Sequence, residues 1–347
     1  MQILTDAGRG VKWQPHRANP LQIWLLDPHM VESSFMAESK PIGIFSSLSA
    51  GFDGVASRPA LIIPPLVLDL FLWLGPHLGI ARLIDTLTEP AIQAGGLVGE
   101  QASLIRQVIE SAGEQFNLLS ALSTIPIGIP SLMAGRMPLE NPLGLISRID
   151  VDDAGRVLLI WIGLSGIGLV IGAYYQYWIA GAVAPDAELG PGWMAALRMA
   201  GFGFLIFVGG LVAGITVLIA ITLATLILPL LGTGVFFLGF ALLFWVAVYL
   251  IFTPHGIIRY NQGVFRSMFE SFLLVRWNLL PTVGYLAMAF GAYWILNLVW
   301  NLPSPASWFS LLALAGHAFV ATTLLAGSYA YYQGRREWLM AARRAVK

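Results

Sequence analysis

Long apolar stretches occupy most of the chain after residue 59. A helix of about 20 predominantly apolar residues is long enough to cross the hydrocarbon core of a bilayer. Between Arg198 and His255 there is no charged residue at all. That stretch is too long for one crossing, and the sequence ILPLLGTG at 227–234 supplies a break. The pattern therefore indicates a chain that crosses a membrane several times.

The apolar pattern predicts six transmembrane helices. They are 60–80, 157–183, 199–228, 235–252, 280–300 and 308–332. We expect an all-α integral membrane fold, with a helix bundle over 60–332, a preceding cytoplasmic segment at 1–59 and a basic cytoplasmic tail at 333–347. A run typical of a membrane-protein start opens at Met36. We therefore expect residues 1–35 to be a disordered tail or an extension from a misassigned start codon.

The distribution of basic residues indicates the orientation of this bundle. With both termini inside, the inner segments hold 14 of the 19 Lys and Arg residues, and the two short outer loops hold none. Cytoplasmic loops carry an excess of cations in membrane proteins. We therefore expect a multi-pass protein of the cell (plasma) membrane with both termini in the cytoplasm.

One long extracytoplasmic loop, 81–156, separates the first two predicted crossings. Within it, a helical pattern places apolar residues on one face: Ile105, Val108, Ile109, Ala112 and Phe116. The following apolar segment, 117–135, is interrupted by prolines. It could be a re-entrant segment, a seventh crossing or a cap on the bundle, and a crossing would move the N-terminus outside.

The segment 256–279 predicts an amphipathic helix in the cytoplasmic interface. Its apolar side chains Val264, Met268, Phe272 and Val275 share one helical face. Three arginines, Arg259, Arg266 and Arg276, are spaced among them. These cations could contact anionic lipid headgroups, and simple positive-inside anchoring explains them equally well.

Composition supports a lipid environment and excludes several classes of site. Hydrophobic residues make up 57% of the chain, the mean hydropathy is +0.75, and only 11% of residues are charged, against roughly 25% in soluble domains. The net charge is zero, so no global field favours nucleic acid. Cysteine is absent, which excludes disulfides and thiolate metal sites. We expect no cofactor and no metal.

Four polar residues in the predicted crossings are candidates for an intramembrane site. Asp69 is the one acid in a predicted hydrophobic core, and such acids are costly and often functional. His317 lies midway along the sixth helix and could bind a metal, relay protons or pair with Asp69. Asn297 and Asn301, one turn apart, could line a polar cavity. For all four, hydrogen bonding within the helix bundle is the alternative interpretation.

Several catalytic signatures do not occur in the sequence. We find no phosphate-binding GxxxxGK[ST], no HExxH, no GxSxG and no dinucleotide-binding glycine pattern after a strand. GxxxG pairs at 168–172 and 210–214 allow close helix contact. The sequence thus disfavours an ATP-driven pump and a zinc protease and favours tight helix packing.

Three patches resemble a bacterial membrane family. They are SLSAGFDGVASRPALIIPPLVLDLFLWLG at 47–75, GVFRSMFESFLLVRWNLLPTVGYLAMAF at 263–290 and SYAYYQGRREWLM at 328–340. The chain is similar in these patches to the membrane-domain group of glycerophosphoryl diester phosphodiesterases. That resemblance implies an interfacial helix leading into a crossing, and it supplies no catalytic residues. No segment has the alternation of strands and helices expected of the phosphodiesterase barrel.

Three functions follow as hypotheses. The first is a non-enzymatic scaffold or accessory subunit, bound to the lipid bilayer, other membrane subunits or a partner at loop 81–156. The second is a transporter or channel for a small or amphipathic molecule that uses Asp69 and His317. The third is a lipid-active membrane enzyme, which needs at least two titratable groups converging near the headgroups. A dry, packed environment of Asp69 favours the first, and a water-filled cavity favours the second.

Overall fold

The computed structural model describes residues 41–94, 99–124, 127–184 and 189–345. Residues 42–335 form one compact unit, and the second unit consists of 1–41 with 336–347. The expectations for residues 1–35 lie outside the described residues. The fold and the candidate site are described below for the first unit.

Helices make up most of the described chain. The α-helices are α1 Ile44–Ala56, α2 Ile63–Leu74, α3 Ala81–Ala94, α4 Glu100–Gln115, α5 Leu132–Arg136, α6 Ala154–Val183, α7 Gly192–Ile227, α8 Pro229–Leu250, α9 Thr253–Arg259, α10 Val264–Trp277, α11 Leu279–Trp300 and α12 Ser310–Ala345. Two 3₁₀ helices span Pro59–Ile62 and Leu118–Ser123. Short strands are β1 His77–Gly79, β2 Glu140–Asn141, β3 Gly144–Leu145 and β4 Arg148–Asp150.

Among the described residues, five helices are long and apolar enough to cross a membrane. They are α6, α7, α8 continued through α9, α11 and the part of α12 up to residue 341. The bent pair made of Ile44–Ala56 and Pro59–Leu74 would be a sixth. The sequence-based prediction of an all-helical membrane protein with about six crossings is therefore confirmed at this level.

The first predicted crossing, 60–80, is corrected by the structure. The chain bends by 97° between α1 and the Pro59–Leu74 helix, which ends before residue 75. Pro59 opens the 3₁₀ turn, and prolines at 64 and 65 stand at the start of α2, where the missing N–H costs nothing. Residues 77–79 form a strand instead of membrane helix. Hydropathy registers apolar content and does not detect such a bend.

The predicted outer loop 81–156 contains regular structure. The strands form two pairs, parallel β1–β4 and antiparallel β2–β3. Arg148 joins this region to α4, because its guanidinium donates to the carbonyls of Gly113 and Glu114 and to Asp150. The all-α description therefore needs these two small strand pairs added.

The segment 117–135 does not cross the bundle. Its described parts contain only the 3₁₀ helix Leu118–Ser123 and the start of α5, both far shorter than a membrane span. The segment packs against α6: a Cβ on Gly168 would lie 2.4 Å from the carbonyl oxygen of Leu122, and one on Gly172 would lie 2.4 Å from Cα of Gly128. The first GxxxG pair thus accommodates irregular backbone, which is tolerated at membrane depth where protein buries it.

The two predicted amphipathic helices differ in what covers their apolar residues. On α4, Ile105 and Val108 are exposed. On α10, the apolar residues Val264, Met268 and Val275 pack on the protein while Phe272 is exposed, and the buried side also carries the polar residues Ser267, Glu270 and Ser271. The exposed side of α10 includes Phe265, Phe269 and Phe272. An apolar stripe identifies an amphipathic helix, but in a membrane protein lipid can cover that stripe as well as protein can.

Helix α12 is the most enclosed of the candidate spans. Half of its most apolar window is buried, whereas none of the corresponding window of α7 is. Helix α1 approaches it closely, because Gly51 and Gly327 allow the backbones to touch. The polar residues of α12 therefore face protein, and this arrangement positions the candidate site.

Candidate intramembrane site

Asp69 lies on α2 and is fully buried. Its Oδ1 accepts a hydrogen bond of 2.6 Å from the Ser131 hydroxyl and one of 2.9 Å from the Met133 backbone N–H. Ser131 is also the N-cap of α5, because its Oγ accepts from the N–H of Ala134 at 3.0 Å. The carboxylate thus binds the first turn of α5 and holds it on α2.

His317 of α12 faces the other oxygen of this carboxylate. Its Nδ1 is 3.6 Å from Asp69 Oδ2, and its side chain is 1% exposed. On the opposite edge, Nε2 is 3.2 Å from the Tyr293 hydroxyl of α11. The consistent assignment has Tyr293 donating to Nε2 and the Nδ1–H directed at Asp69. At 3.6 Å the contact with Asp69 is an electrostatic pairing rather than a short hydrogen bond.

Close helix packing sets the position of His317. A Cβ on the preceding Gly316 would lie 2.5 Å from the Trp300 ring, so only glycine allows α11 and α12 to approach this closely. Tyr293 lies two turns before Trp300 on α11, at the level of His317. The histidine is therefore placed between α2 and α11 by the contact of Gly316 with the Trp300 ring and by its hydrogen bond with Tyr293.

The two predicted asparagines do not join this group. Asn301 is exposed, and its side chain donates to the backbone carbonyl of Asn297 at 2.8 Å. The Oδ1 of Asn297 is buried and has no hydrogen-bond partner among the described residues. Of the four predicted site residues, the structure brings together Asp69 and His317 only.

Sequence reasoning missed Ser131, Met133 and Tyr293. Tyr293 stands one turn before Asn297, so the polar spacing on α11 could have indicated it. Ser131 precedes a short apolar run as an N-cap does. The Met133 contact uses a backbone group and left no signal in the sequence.

Tyr293, His317 and Asp69 lie in a row, with the imidazole between the hydroxyl and the carboxylate. Such an order can pass a proton between the outer groups through the two ring nitrogens. Asp69 is 0% and His317 is 1% exposed, so neither side chain is open to solvent. Among the described residues, no group of three or more His, Asp or Glu side chains could hold a metal ion.

A second buried polar cluster lies where α9, α10 and α12 meet. His255 is buried, and its Nε2 is 2.7 Å from the Ser328 hydroxyl. The hydroxyl of Ser267 donates to the carbonyl of Thr253, and that of Ser271 donates to the carbonyl of Tyr249, both at 2.7 Å. These bonds explain why α10 buries its polar side: its serines satisfy carbonyls at the break after α8.

The three predicted headgroup arginines differ in their surroundings. Arg259 donates to Gln333 Oε1 at 3.3 Å, and its guanidinium lies 5.2 Å from the Tyr260 ring centre. Arg266 is largely exposed and lies 3.4 Å from Glu270 Oε1. Arg276 is exposed in the last turn of α10. Arg266 and Arg276 thus have solvent- or lipid-accessible cationic groups, and Arg259 is engaged within the protein.

Comparison with known proteins adds no relative. No family model matches the chain, and neither the curated proteins nor the solved structures contain a match. The resemblance to the membrane-domain group of glycerophosphoryl diester phosphodiesterases therefore stays a prediction.

Proposed function

We propose that this chain is a non-enzymatic integral membrane protein, a scaffold or accessory subunit of the cell membrane. The observation that carries this proposal is the burial of Asp69 and His317 against protein groups. A catalytic or transport site must admit substrate or water to its polar groups. Here Asp69 Oδ1 accepts two hydrogen bonds from protein donors, and His317 Nε2 contacts the Tyr293 hydroxyl. Asp69 Oδ2 and His317 Nδ1 are buried 3.6 Å apart and have no hydrogen-bond partner among the described residues.

In this proposal the contacts of Asp69 and His317 have a structural role. Asp69 holds α5, which continues into the strands of the outer region, and His317 links that carboxylate to α12. These contacts fix the segment 127–136 on the bundle and so present the flanking parts of the chain, α3 with α4 and the strands, on one side of the membrane. A partner subunit would bind that presented region.

In this proposal the bent pair and the five long helices each cross the membrane once, which determines the side on which each connection lies. Both termini lie in the cytoplasm, whereas α3, α4, the strands and the 301–309 connection lie outside. Helix α10 lies in the cytoplasmic interface, with Phe265, Phe269 and Phe272 in lipid. Arg266 and Arg276 then contact anionic headgroups at the same surface.

Two substitutions of Asp69 test the structural role. Asp69→Ala leaves the Ser131 hydroxyl and the Met133 N–H without their acceptor, whereas Asp69→Asn retains an oxygen and removes the titratable proton. We expect hydrogen exchange in 131–134 to accelerate about tenfold or more in Asp69→Ala and less in Asp69→Asn. The exposed Asp85→Asn on α3 is the control and should exchange like the parent chain.

Proton transport is the second candidate, because the Tyr293–His317–Asp69 order is that of a relay. Proteoliposomes with an imposed pH gradient separate the two functions. A scaffold gives no proton flux above empty liposomes. Flux through the parent chain that is lost in a folded Asp69→Asn variant would overturn the proposal and establish transport.

A further inference from the structure

A shallow pocket of about 510 Å³ opens beside the strand pair β2–β3. It is formed by the end of α4, the end of α5, the strand pair and the connection between α11 and α12. Polar groups come from Gln115, Arg136 and Glu140, and apolar ones include Leu139, Leu145 and Pro305. The site is separate from Asp69 and His317, and its assignment to the outer leaflet rests on the topology proposed above.

Hydrogen bonds fix this pocket at the end of the membrane helices. The connection 301–309 joins two helices that are each long and apolar enough to cross the membrane, so it lies at the bilayer surface. Trp73 at the end of α2 donates its Nε1–H to the carbonyl of Pro305 at 2.8 Å. Asn141 of β2 donates to the carbonyl of Trp73 at 3.1 Å. The strand pair is therefore tied to the level of the headgroups.

Two exposed leucines of the strand region, Leu139 (47%) and Leu145 (87%), line the pocket. Further large apolar side chains are exposed on the same strand pair and on the 301–309 connection: Leu143, Leu302 and Phe309. Exposed apolar surface of this kind is typical of an interaction site. Because the 301–309 connection lies at the bilayer surface, lipid is the occupant that matches these side chains.

The charges of the pocket are of opposite sign. Arg136 Nη2 donates to the carbonyls of Asn301 and Pro303, and Nη1 has no hydrogen-bond partner among the described residues. Glu140 is exposed at the start of β2. Among the described ion pairs none joins Arg136 to Glu140. A guanidinium suits a phosphate, and a carboxylate suits an ammonium group.

We infer that this pocket binds the headgroup of a zwitterionic phospholipid of the outer leaflet. The phosphate lies at Arg136, the ammonium group lies at Glu140, and the acyl chains follow Leu139 and Leu145 into the bilayer. An anionic phospholipid lacks the ammonium group and would bring its negative headgroup near Glu140. The pocket therefore prefers a headgroup with both charges to one with a net negative charge.

Native mass spectrometry of the full chain, released from nanodiscs, tests this site. The nanodiscs contain equal amounts of phosphatidylethanolamine and phosphatidylglycerol with identical acyl chains. We expect the parent chain to retain phosphatidylethanolamine preferentially. Glu140→Gln removes the partner of the ammonium group and should lower that preference about tenfold. Glu110→Gln, an exposed glutamate on α4, is the matched control and should keep it.

Two further variants separate headgroup recognition from folding. Arg136→Gln should reduce retention of both lipids, but it also loses bonds to the 301–309 connection. Leu145→Ser leaves both charges and removes an apolar contact, so it should reduce retention of both lipids in a folded protein. Equal retention of the two lipids by the parent chain, a preference for phosphatidylglycerol, or an unchanged preference in Glu140→Gln would each overturn the inference.

Discussion

At the scale of single residues, glycines determine where backbone can approach backbone. Gly172 on α6 faces Gly128 so closely that a Cβ would lie 2.4 Å from its Cα. Gly163 and Gly166, on the same helix, have no atoms within 4 Å of a Cβ position among the described residues. The sequence shows three similar glycines, and only the structure distinguishes the one that packs.

The difference in surroundings between Gly172 and Gly166 predicts opposite effects of substitution by alanine on stability. Gly172→Ala forces α6 away from 127–129 and should destabilise the protein by about 1–3 kcal/mol, as overpacked core positions do. Gly166→Ala has room and gains helix propensity, so its melting temperature should equal or exceed that of the parent chain. Thermal unfolding in the same detergent or nanodisc measures both. Equal destabilisation by the two variants would show that the contact at Gly128 is unimportant.

Another residue-scale property concerns His77 of β1. Burial lowers the pKa of its imidazole, a hydrogen bond to the Leu72 carbonyl raises it by less, and the charge of Arg148 lowers it further. The folded chain therefore binds a proton at His77 less readily than the unfolded chain. The neutral imidazole of His77 therefore contributes to the stability of the fold at pH values above the unfolded pKa of about 6.5, and this contribution is lost as the pH falls below that value.

The pKa shift of His77 predicts acid sensitivity of the outer strands. Lowering the pH from 7 to 5 should reduce the protection factors of the Leu78 and Gly79 amides in the parent chain, which are the intrinsic exchange rates divided by the observed rates at each pH. His77→Gln has no titrating group at this position and should show a smaller change over the same range. The same pH dependence in both proteins would assign the effect to other groups.

At the scale of elements, hydropathy located the long helices well but did not identify their surroundings. Helix α11 begins within one residue of its predicted start at 280, and α6 begins three residues before its predicted start at 157. By contrast, the face of α10 that packs on protein carries serines and a glutamate. The spacing of apolar residues along the sequence determines where a helix forms. Which face of α10 packs on protein depends in addition on the backbone carbonyls left free at the break after α8, because its serines donate to them.

The candidate site illustrates the same limit. Asp69 and His317 stood out because polar groups in apolar helices are rare. Their partners come from α5 and α11, and the Met133 contact is made by a backbone N–H whose position follows from the irregular segment before it. Contacts between segments separated by more than 60 residues require the tertiary structure, which periodicity does not provide.

At the scale of the whole molecule, the alternation of crossings has a direct test. The chain contains no cysteine, so any introduced cysteine is its single thiol. Glu110 on the exposed side of α4 and Gly263 before α10 are both exposed, and a Cβ at Gly263 meets open space. Three candidate spans, α6, α7 and α8 continued through α9, separate these two positions, so they lie on opposite sides of the membrane if each of the three crosses once.

In intact cells, a membrane-impermeant maleimide should label Glu110→Cys and leave Gly263→Cys unlabelled until the cells are permeabilised. The cysteine-free parent chain gives the background. Labelling of both variants in intact cells would show that one of the three helices between them does not cross the membrane. The reverse pattern would show either that the bent pair made by α1 and α2 does not cross or that the six crossings have the opposite orientation, which would place the 14 inner cations outside against the positive-inside tendency.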